Sequence, residues 1–145
     1  MDRNSFLITG GCGFIGTSLI HKLLQYDAEQ NIRILDNFVT GTPDDLKGVA
    51  EFIASDAAEC SHHKGIVLVE GDIRDQATAL QCAKGVDCIV HLAANTGVIP
   101  SIENPRMDCE TNVMGTLNLL EGCRKGGVSR FVLASSGAPL GEQVP

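Results

Sequence analysis

The sequence predicts an α/β fold in which helices cover a doubly wound parallel sheet of about five strands. Strand-like and helix-like segments alternate along the 145 residues, and parallel neighbours require such crossover connections. Ile, Leu, Val and Ala supply most of the apolar mass, whereas aromatic residues make up only 4%. This composition is typical of strands buried on both faces. A glycine-rich segment between the first strand and the first helix is the third indication.

The predicted strands are short apolar runs bounded by turn residues or helical patterns. They are Ser5–Thr9, Asn31–Asp36, Ile66–Glu70, a strand within Val86–Ala93, and Arg130–Ser135. Because crossover connections are right-handed, we expect the first three strands to form a mononucleotide-binding half. A six-stranded doubly wound sheet would require one more helix and strand, so the sheet is expected to be incomplete.

The predicted helices carry apolar residues at helical spacing and have recognisable ends. The first helix spans Phe14–Tyr26. Thr42 fits the N-cap and Pro43 the first position of a second helix, which is expected to run to about Cys60. The remaining helices are Asp75–Lys84, closed by Gly85, and Pro105–Lys125, closed by Gly126 and Gly127.

The glycine-rich segment predicts a phosphate-binding turn. Gly10, Gly13 and Gly16 stand between an apolar strand and an amphipathic helix. Gly10 would allow the sharp turn, Gly13 would remove a Cβ where a pyrophosphate approaches the backbone, and Gly16 would let the helix pack on the sheet. Free N–H groups at the helix N-terminus would then face the phosphates. The alternative is a strand-to-helix turn that holds no ligand.

An acidic residue at the end of the second strand favours NAD over NADP. Asp36 lies twenty residues after Gly16, where a carboxylate accepts hydrogen bonds from the adenosine ribose hydroxyls. The same charge would repel a 2′-phosphate. The sequence therefore predicts NAD as the cofactor.

Several motifs occur together in a characteristic order. They are TGGCGFIG at 9–16, Asp36, GDIRD at 71–75, HLAA at 91–94, TNVMGT at 111–116 and ASSGAPLGE at 134–142. In this combination the chain resembles the extended short-chain dehydrogenase/reductase family, in particular its NAD-dependent sugar-nucleotide epimerases and dehydratases. The resemblance implies that residues 1–145 are the N-terminal portion of an NAD(P)-binding Rossmann domain, with the C-terminal substrate domain absent.

The resemblance also implies roles for individual residues. Ser136 matches the catalytic Ser/Thr, whose hydroxyl would bond the sugar hydroxyl undergoing oxidation. Cofactor contacts are implied for Gly10, Gly13, Phe14, Ile15 and Gly16 at the pyrophosphate, Asp36 and Asn37 at the adenosine ribose, Asp72 and Ile73 at the adenine, Leu92, Ala93, Ala94 and Thr96 at the nicotinamide-side ribose, and Asn112 and Ser135 near the nicotinamide. Asp72 would accept the adenine amino group.

Purely structural interpretations of some of these residues stay open. Asp72 fits an acid at a helix N-terminus, Asn112 fits surface polarity on a helix, and the hydroxyls of Ser135 and Ser136 fit an ordinary loop. His91 is interpreted as a packed imidazole at a strand end rather than as a base.

The proton-transfer pair of the family is not found in this sequence. The family uses Tyr-x-x-x-Lys, in which the lysine lowers the tyrosine pKa. The single tyrosine, Tyr26, is followed four residues later by Gln30, and Leu140 stands where family members have tyrosine before Gly141. We therefore expect a fragment of an enzyme, inactive by itself.

The preferred function is the cofactor-binding part of a nucleotide-sugar 4-epimerase, with a UDP-sugar as the favoured substrate. A 4,6-dehydratase or decarboxylase is the close alternative, although Ser136-Gly137-Ala138 replaces the Thr-Asp-Glu typical of dehydratases. A non-catalytic dinucleotide-binding module is the alternative from another class.

Composition and charge limit the partners. The net charge is −7, and nucleic-acid binding generally requires a basic face. No apolar run is long enough for a membrane span, and no leader is recognised, so a cytoplasmic protein is expected. The six cysteines lack CxxC spacing, and His62 and His63 near Cys60 are expected to bind no metal. The helix from Pro105 presents apolar residues either to its own sheet or to a second subunit, and we expect a homodimer.

Overall fold

Six parallel strands form one sheet in the computed structural model, which describes residues 5–136. The strands are β1 (Ser5–Thr9), β2 (Asn31–Asp36), β3 (Ile53–Ser55), β4 (Ile66–Glu70), β5 (Cys88–His91) and β6 (Arg130–Leu133). Their order is β3-β4-β2-β1-β5-β6. Strands β2, β4 and β3 lie on one side of β1, and β5 and β6 lie on the other, so the predicted doubly wound parallel sheet is confirmed.

Helices cover the two faces of this sheet. They are α1 (Phe14–Tyr26), α2 (Pro43–Lys47), α3 (Gln76–Ala83), α4 (Val98–Glu103), α5 (Pro105–Cys109) and α6 (Gly115–Gly126). One core contains Leu7 of β1 together with residues of α3 and α6. The other contains Ile8 with residues of α1 and α2. Successive β1 residues thus point to opposite faces, as pleated strands require.

The prediction of one helix from Pro43 to about Cys60 is wrong. Its start is correct, because the Thr42 hydroxyl accepts a hydrogen bond from Asp45 N at 3.3 Å and the Asp45 carboxylate accepts from Thr42 N at 2.9 Å. The helix ends at Lys47, where Gly48 caps it. Farther along the segment predicted to be helical, Ile53–Ser55 form β3, which adds a parallel strand along the free edge of β4. The sheet therefore has one strand more than predicted.

Other boundaries also differ from the sequence expectations. The long helix from Pro105 contains a π-helical turn at Glu110–Met114 that joins α5 to α6, and α4 was not predicted. β6 ends at Leu133, so Ser135 follows the strand. Leu140, Gly137 and Ala138 lie outside the described residues. Every helix within residues 5–136 is too short or too polar to traverse a lipid bilayer.

Candidate functional site

A cleft of about 370 Å³ runs along the carboxyl edge of the sheet. Loops that follow β4, β2, β1, β5 and β6 all contribute to it. Its lining includes Gly10, Gly13, Phe14, Ile15, Gly16, Asp36, Asn37, Ile73, Arg74, Leu92, Ala93, Ala94, Thr96 and Ala134. Ligands of open α/β sheets bind at this edge, where the strand order reverses. Here the reversal is at β1.

The glycine turn after β1 is shaped by close backbone approach. Gly10 has φ +68°, and a Cβ there would lie 2.8 Å from the Ala93 nitrogen. A Cβ on Gly16 would lie 2.5 Å from the Gly10 oxygen. The first turn of α1 can therefore pack this closely against the glycine turn only because residue 16 is a glycine. A Cβ on Gly13 would meet only the Gly10 oxygen, at 3.3 Å. Gly13 therefore faces open space in the cleft.

The N-terminus of α1 opens into the cleft. Gly13 is the N-cap and supplies no side-chain cap, so the first N–H groups of the helix are left to water or a ligand. The apolar residues Phe14 and Ile15 are 88% and 62% exposed at the rim of the cleft. Positive helix-dipole charge beside exposed apolar surface suits an anionic ligand that also has apolar parts.

Asp36 braces this turn as well as lining the cleft. Its carboxylate accepts hydrogen bonds from the backbone N–H of Cys12 and of Phe38, both at 2.9 Å. The side chain is buried. Burial and the nearby Asp36 charge raise the pKa of the Cys12 thiol to about 12. The end of β2 is thereby fastened to the glycine turn, with Cys12 as a neutral thiol between them.

A second carboxylate lies beyond the end of β4. The Asp72 carboxylate accepts from Arg74 Nε at 3.0 Å, Arg74 Nη2 at 2.7 Å, Arg74 N at 2.8 Å and Asn37 Nδ2 at 3.1 Å. The Arg74 guanidinium is the main reason why the pKa of Asp72 falls to about 2. Ile73 and Arg74 line the main cleft, whereas Asp72 lines an adjoining depression with Asp75 and Glu110.

Asn112 does not line the cleft but holds a loop that does, by hydrogen bonds to Asn95. Its side-chain oxygen accepts from Asn95 N at 2.8 Å, and its Nδ2 donates to Asn95 O at 2.9 Å and to Asp108 Oδ1 at 3.1 Å. These bonds hold the loop that carries Leu92–Thr96. Asn112 is thus a positioning residue in the π-helical turn.

Asn118 holds the loop after β4, at the opposite end of the cleft, in place by hydrogen bonds. Its Nδ2 donates to Ile73 O at 2.9 Å and to Arg74 O at 3.1 Å. The helical segment that contains the π-helical turn and α6 therefore holds two loops of the cleft. Asn112 bonds the loop after β5, and Asn118 bonds the loop after β4. A Cβ on Gly115 would collide with the Ile73 side chain at 2.6 Å, so this contact is close.

His91 belongs to a buried chain of hydrogen bonds rather than to the cleft surface. Its Nδ1 lies 2.7 Å from Thr9 Oγ1, and its Nε2 lies 3.0 Å from Thr116 Oγ1. Thr116 Oγ1 donates to Asn112 O at 2.7 Å, so it must accept from His91 Nε2–H. Thr9 then donates to Nδ1. Burial lowers the pKa of His91 to about 4, which keeps the imidazole neutral.

Ser135 and Ser136 come directly after a cleft-lining residue in the sequence. Ala134 lines the cleft, and Ser135 and Ser136 are exposed just beyond it. Within residues 5–136, no cluster of three or more His, Cys, Asp or Glu side chains is arranged to hold a metal ion. His62 is instead 2.8 Å from Glu59.

Sequence reasoning missed several residues that line the cleft or support it. Arg74, Asn95, Val39 and Thr40 lie within three residues after predicted site residues in the same loops, so their positions after the strands could have indicated them. Met107 and Thr111 also line the cleft. They come from α5 and the π-helical turn, where no strand-end rule applies.

Comparisons with known proteins agree with this geometry. The sequence model of the NAD dependent epimerase/dehydratase family matches residues 6–145. A bifunctional UDP-glucose 4-epimerase and UDP-xylose 4-epimerase of Pisum sativum is 32% identical over 148 residues, covering 99% of this chain and 40% of that protein. A dTDP-glucose 4,6-dehydratase of Mycobacterium tuberculosis is 33% identical over 123 residues, covering 84% and 33%.

A solved structure of an epimerase also resembles this chain. The crystal structure of a UDP-glucose 4-epimerase from Thermus thermophilus in complex with NAD matches with a TM-score of 0.72 and 32% identity, covering 97% of this chain and 42% of that chain. The chain spans about two fifths of the length of the curated relatives it matches.

Proposed function

The chain belongs to the NAD dependent epimerase/dehydratase family, and from that premise we propose that it is the cofactor-binding part of a nucleotide-sugar 4-epimerase. The cleft at the carboxyl edge of the sheet, with the glycine turn at its centre, is the observation that carries this proposal. Relatives that act on UDP-sugars favour a UDP-sugar as the substrate.

The residues of the cleft fit NAD. A Cβ at Gly10 or Gly16 would collide with backbone, while the space in front of Gly13 is open. A diphosphate placed there would meet the N-terminus of α1. On this basis we assign Gly10, Gly13, Phe14, Ile15 and Gly16 to the pyrophosphate, as the resemblance implies.

We infer the orientation of the dinucleotide from the order of the strands. From the phosphate turn after β1, the neighbouring loop after β2 carries Asp36 and Asn37 for the adenosine ribose. The next loop, after β4, carries Asp72 and Ile73 for the adenine. On the opposite side, loops after β5 and β6 would receive the nicotinamide half, at Leu92, Ala93, Ala94 and Thr96, with Asn112 behind them and Ser135 near the ring.

The chemistry that NAD supplies in this family is reversible hydride exchange with the substrate. In our proposal the Ser136 hydroxyl hydrogen-bonds the sugar hydroxyl that is oxidised. Tyr26 is not the base, because it ends α1, whose opposite end faces the cleft, and the residue is 90% exposed. Residues 1–145 alone would therefore bind the cofactor without epimerising a sugar.

Assembly and location are part of the same proposal. Met107, Met114, Leu117 and Leu120 on the long helix are 39–46% exposed. We assign this apolar surface to a homodimer interface, as the family resemblance implies. Six free thiols suit the reducing cytoplasm, and the acidic chain is proposed to bind neither nucleic acid nor membrane.

Product analysis tests the proposal. The protein at its natural length would be incubated with UDP-, GDP-, CDP- and dTDP-sugars, and the products separated. A C4 epimer formed without net consumption of NAD supports the proposal. A 4-keto-6-deoxy sugar would instead identify a dehydratase, the alternative favoured by the dTDP-glucose 4,6-dehydratase relative. NAD binding without any product would identify a binding module.

A further inference from the structure

A buried arginine in β2 has no carboxylate partner within residues 5–136. Arg33 is the third residue of the strand and is 9% exposed, and none of the ion pairs in this part of the chain includes it. Its Nη1 donates to the carbonyl oxygens of Cys82 and Lys84, the latter at 2.9 Å. Its Nε is buried without a hydrogen-bond partner. Because arginine stays protonated in proteins, an anionic neighbour would offset the cost of burying this charge.

Two thiols lie beside this guanidinium group. Cys60 begins a short 3₁₀ turn, Cys60–His62, that packs against α3, and Cys82 is in the last turn of α3. Both cysteines belong to the same buried core, and their thiols are hydrogen-bonded to each other. The Arg33 charge acts on both sulfur atoms. The three side chains therefore form one cluster, in which a pair of thiols adjoins an unpaired cation.

The surroundings of the two thiols separate their protonation behaviour. As a thiol, Cys60 donates to Ala57 O, with the sulfur 3.2 Å from that oxygen. When this proton leaves, the sulfur accepts from the Cys82 thiol. This hydrogen bond, aided by the Arg33 charge, lowers the pKa of Cys60, although burial and the Asp56 charge oppose the change. The same bond and burial raise the pKa of Cys82. Cys60 is therefore the nucleophile of the pair, and Cys82 is the thiol that can resolve it.

We propose that Cys60 and Cys82 are a redox-active dithiol that a hydroperoxide oxidises to a disulfide, with Arg33 as the positioning cation of the Cys60 thiolate. The Cys60 thiolate attacks a peroxide oxygen, the O–O bond breaks, and the alcohol (water from hydrogen peroxide) leaves with the proton that Cys60 lost. Cys60 becomes a sulfenic acid. The Cys82 sulfur then attacks the Cys60 sulfur, and the hydroxyl group leaves as water with the Cys82 proton. The peroxide is reduced and the two thiols are oxidised.

This site is separate from the proposed cofactor site, because none of its three residues lines the cleft. A small oxidant can reach Cys60 when the short turn opens, since the flanking residues Glu59 and Ser61 are exposed and such segments open locally at low cost in free energy. Cys109, by contrast, is exposed in the folded protein. The proposal therefore predicts that Cys60 reacts before Cys109, an order opposite to the order of their exposure.

Peptide mapping tests the proposal on the protein at its natural length. The reduced protein would be treated with hydrogen peroxide, denatured in N-ethylmaleimide and digested without reductant for mass spectrometry. The expected product is a disulfide between Cys60 and Cys82 that forms before Cys109 is oxidised. In Cys82→Ser the sulfenic acid of Cys60 should persist and react with dimedone. Recovery of Cys60 and Cys82 as maleimide adducts, while Cys109 is oxidised, would overturn the proposal.

Substitution of Arg33 tests its role separately. Arg33→Met removes the charge, so the disulfide should form about tenfold more slowly, because the thiolate fraction falls about tenfold for each unit by which the pKa of Cys60 rises. Arg33→Lys restores the charge and should keep the rate within about threefold of the wild type. Cys88→Ser is the matched control, since it removes another buried thiol, and it should leave the rate unchanged. A wild-type rate in Arg33→Met would overturn the role of the cation. The wild-type peptide map does not depend on the folding of any variant.

Discussion

Asn112→Ala should loosen one half of the cleft and leave the other half intact. The substitution removes three hydrogen bonds, two of them to the backbone of Asn95. At about 0.5–1.5 kcal/mol for each bond, the free energy of unfolding should fall by about 2–4 kcal/mol. The loop Leu92–Thr96 loses its main attachment to the long helix, so binding a ligand there must re-order it.

The assay compares two ligands that occupy different lengths of the cleft. In the proposed orientation ADP contacts only the loops after β4, β2 and β1, whereas NAD also contacts the loop after β5. Fixing the backbone of one residue costs about 1–2 kcal/mol, so the dissociation constant for NAD should rise about tenfold. The dissociation constant for ADP should change by less than about twofold.

Asn118→Ala is the contrasting variant. Its amide holds Ile73 O and Arg74 O at the opposite end of the cleft, so its removal should weaken ADP and NAD to the same extent. Urea unfolding of both variants at 25 °C would report the loss of stability separately from binding. Equal weakening of ADP and NAD in Asn112→Ala would refute the assignment of the two halves.

Three further variants test other parts of the account. Asp36→Ala leaves the backbone N–H groups of Cys12 and Phe38 without their acceptor, so chemical denaturation should show a loss of about 2–4 kcal/mol, and the ratio of NAD to NADP affinity should fall; an unchanged ratio would refute the ribose role. Burial lowers the pKa of His91 to about 4 in the fold, whereas an unfolded chain has about 6.5. The neutral imidazole therefore contributes fully to the free energy of unfolding above about pH 6.5. This contribution decreases by about 1.4 kcal/mol per pH unit as the pH falls from 6.5 to 4. His91→Gln should lack this additional slope in urea unfolding between pH 6.5 and 5, and an identical slope would contradict the buried neutral imidazole. Leu117→Glu should convert the proposed dimer to a monomer in light scattering, without affecting NAD affinity; a dimer that persists would exclude this helix face.

The parts of the fold that follow from the sequence are those with strong local signals. β1, α1, β2 and β4 have the predicted bounds, because apolar periodicity and glycine turns define them. The glycine turn and Asp36 line one cleft, in agreement with the positions predicted for them after the first and second strands.

The missed features depend on tertiary contacts. Ile53–Ser55 form a strand because β4 offers a free edge for pairing, and no local pattern encodes that edge. Asn112 fits surface polarity in the sequence, yet in the fold it bonds Asn95, which is 17 residues away. The hydrogen bond to Asp72 likewise comes from Asn37, which is 35 residues away.

Gly13→Ala is the most direct test of the central claim that the glycine turn holds the phosphates of NAD. Gly13 has φ −74° and ψ 172°, a conformation open to alanine, and the added methyl group meets only the Gly10 oxygen within the protein, at 3.3 Å. Gly48→Ala is the matched control, since its Cβ would meet only Asp45 O and Asp44 O, at 3.4 and 4.0 Å, away from the cleft.

NAD titration of the two variants beside the wild type is the decisive measurement. Losing one charge-assisted hydrogen bond costs about 1.5–3 kcal/mol, so we predict that Gly13→Ala binds NAD at least about tenfold more weakly while its melting temperature stays close to that of the wild type. Gly48→Ala should bind NAD normally. Wild-type NAD affinity in a correctly folded Gly13→Ala protein would contradict the account, because the phosphates would then lie elsewhere.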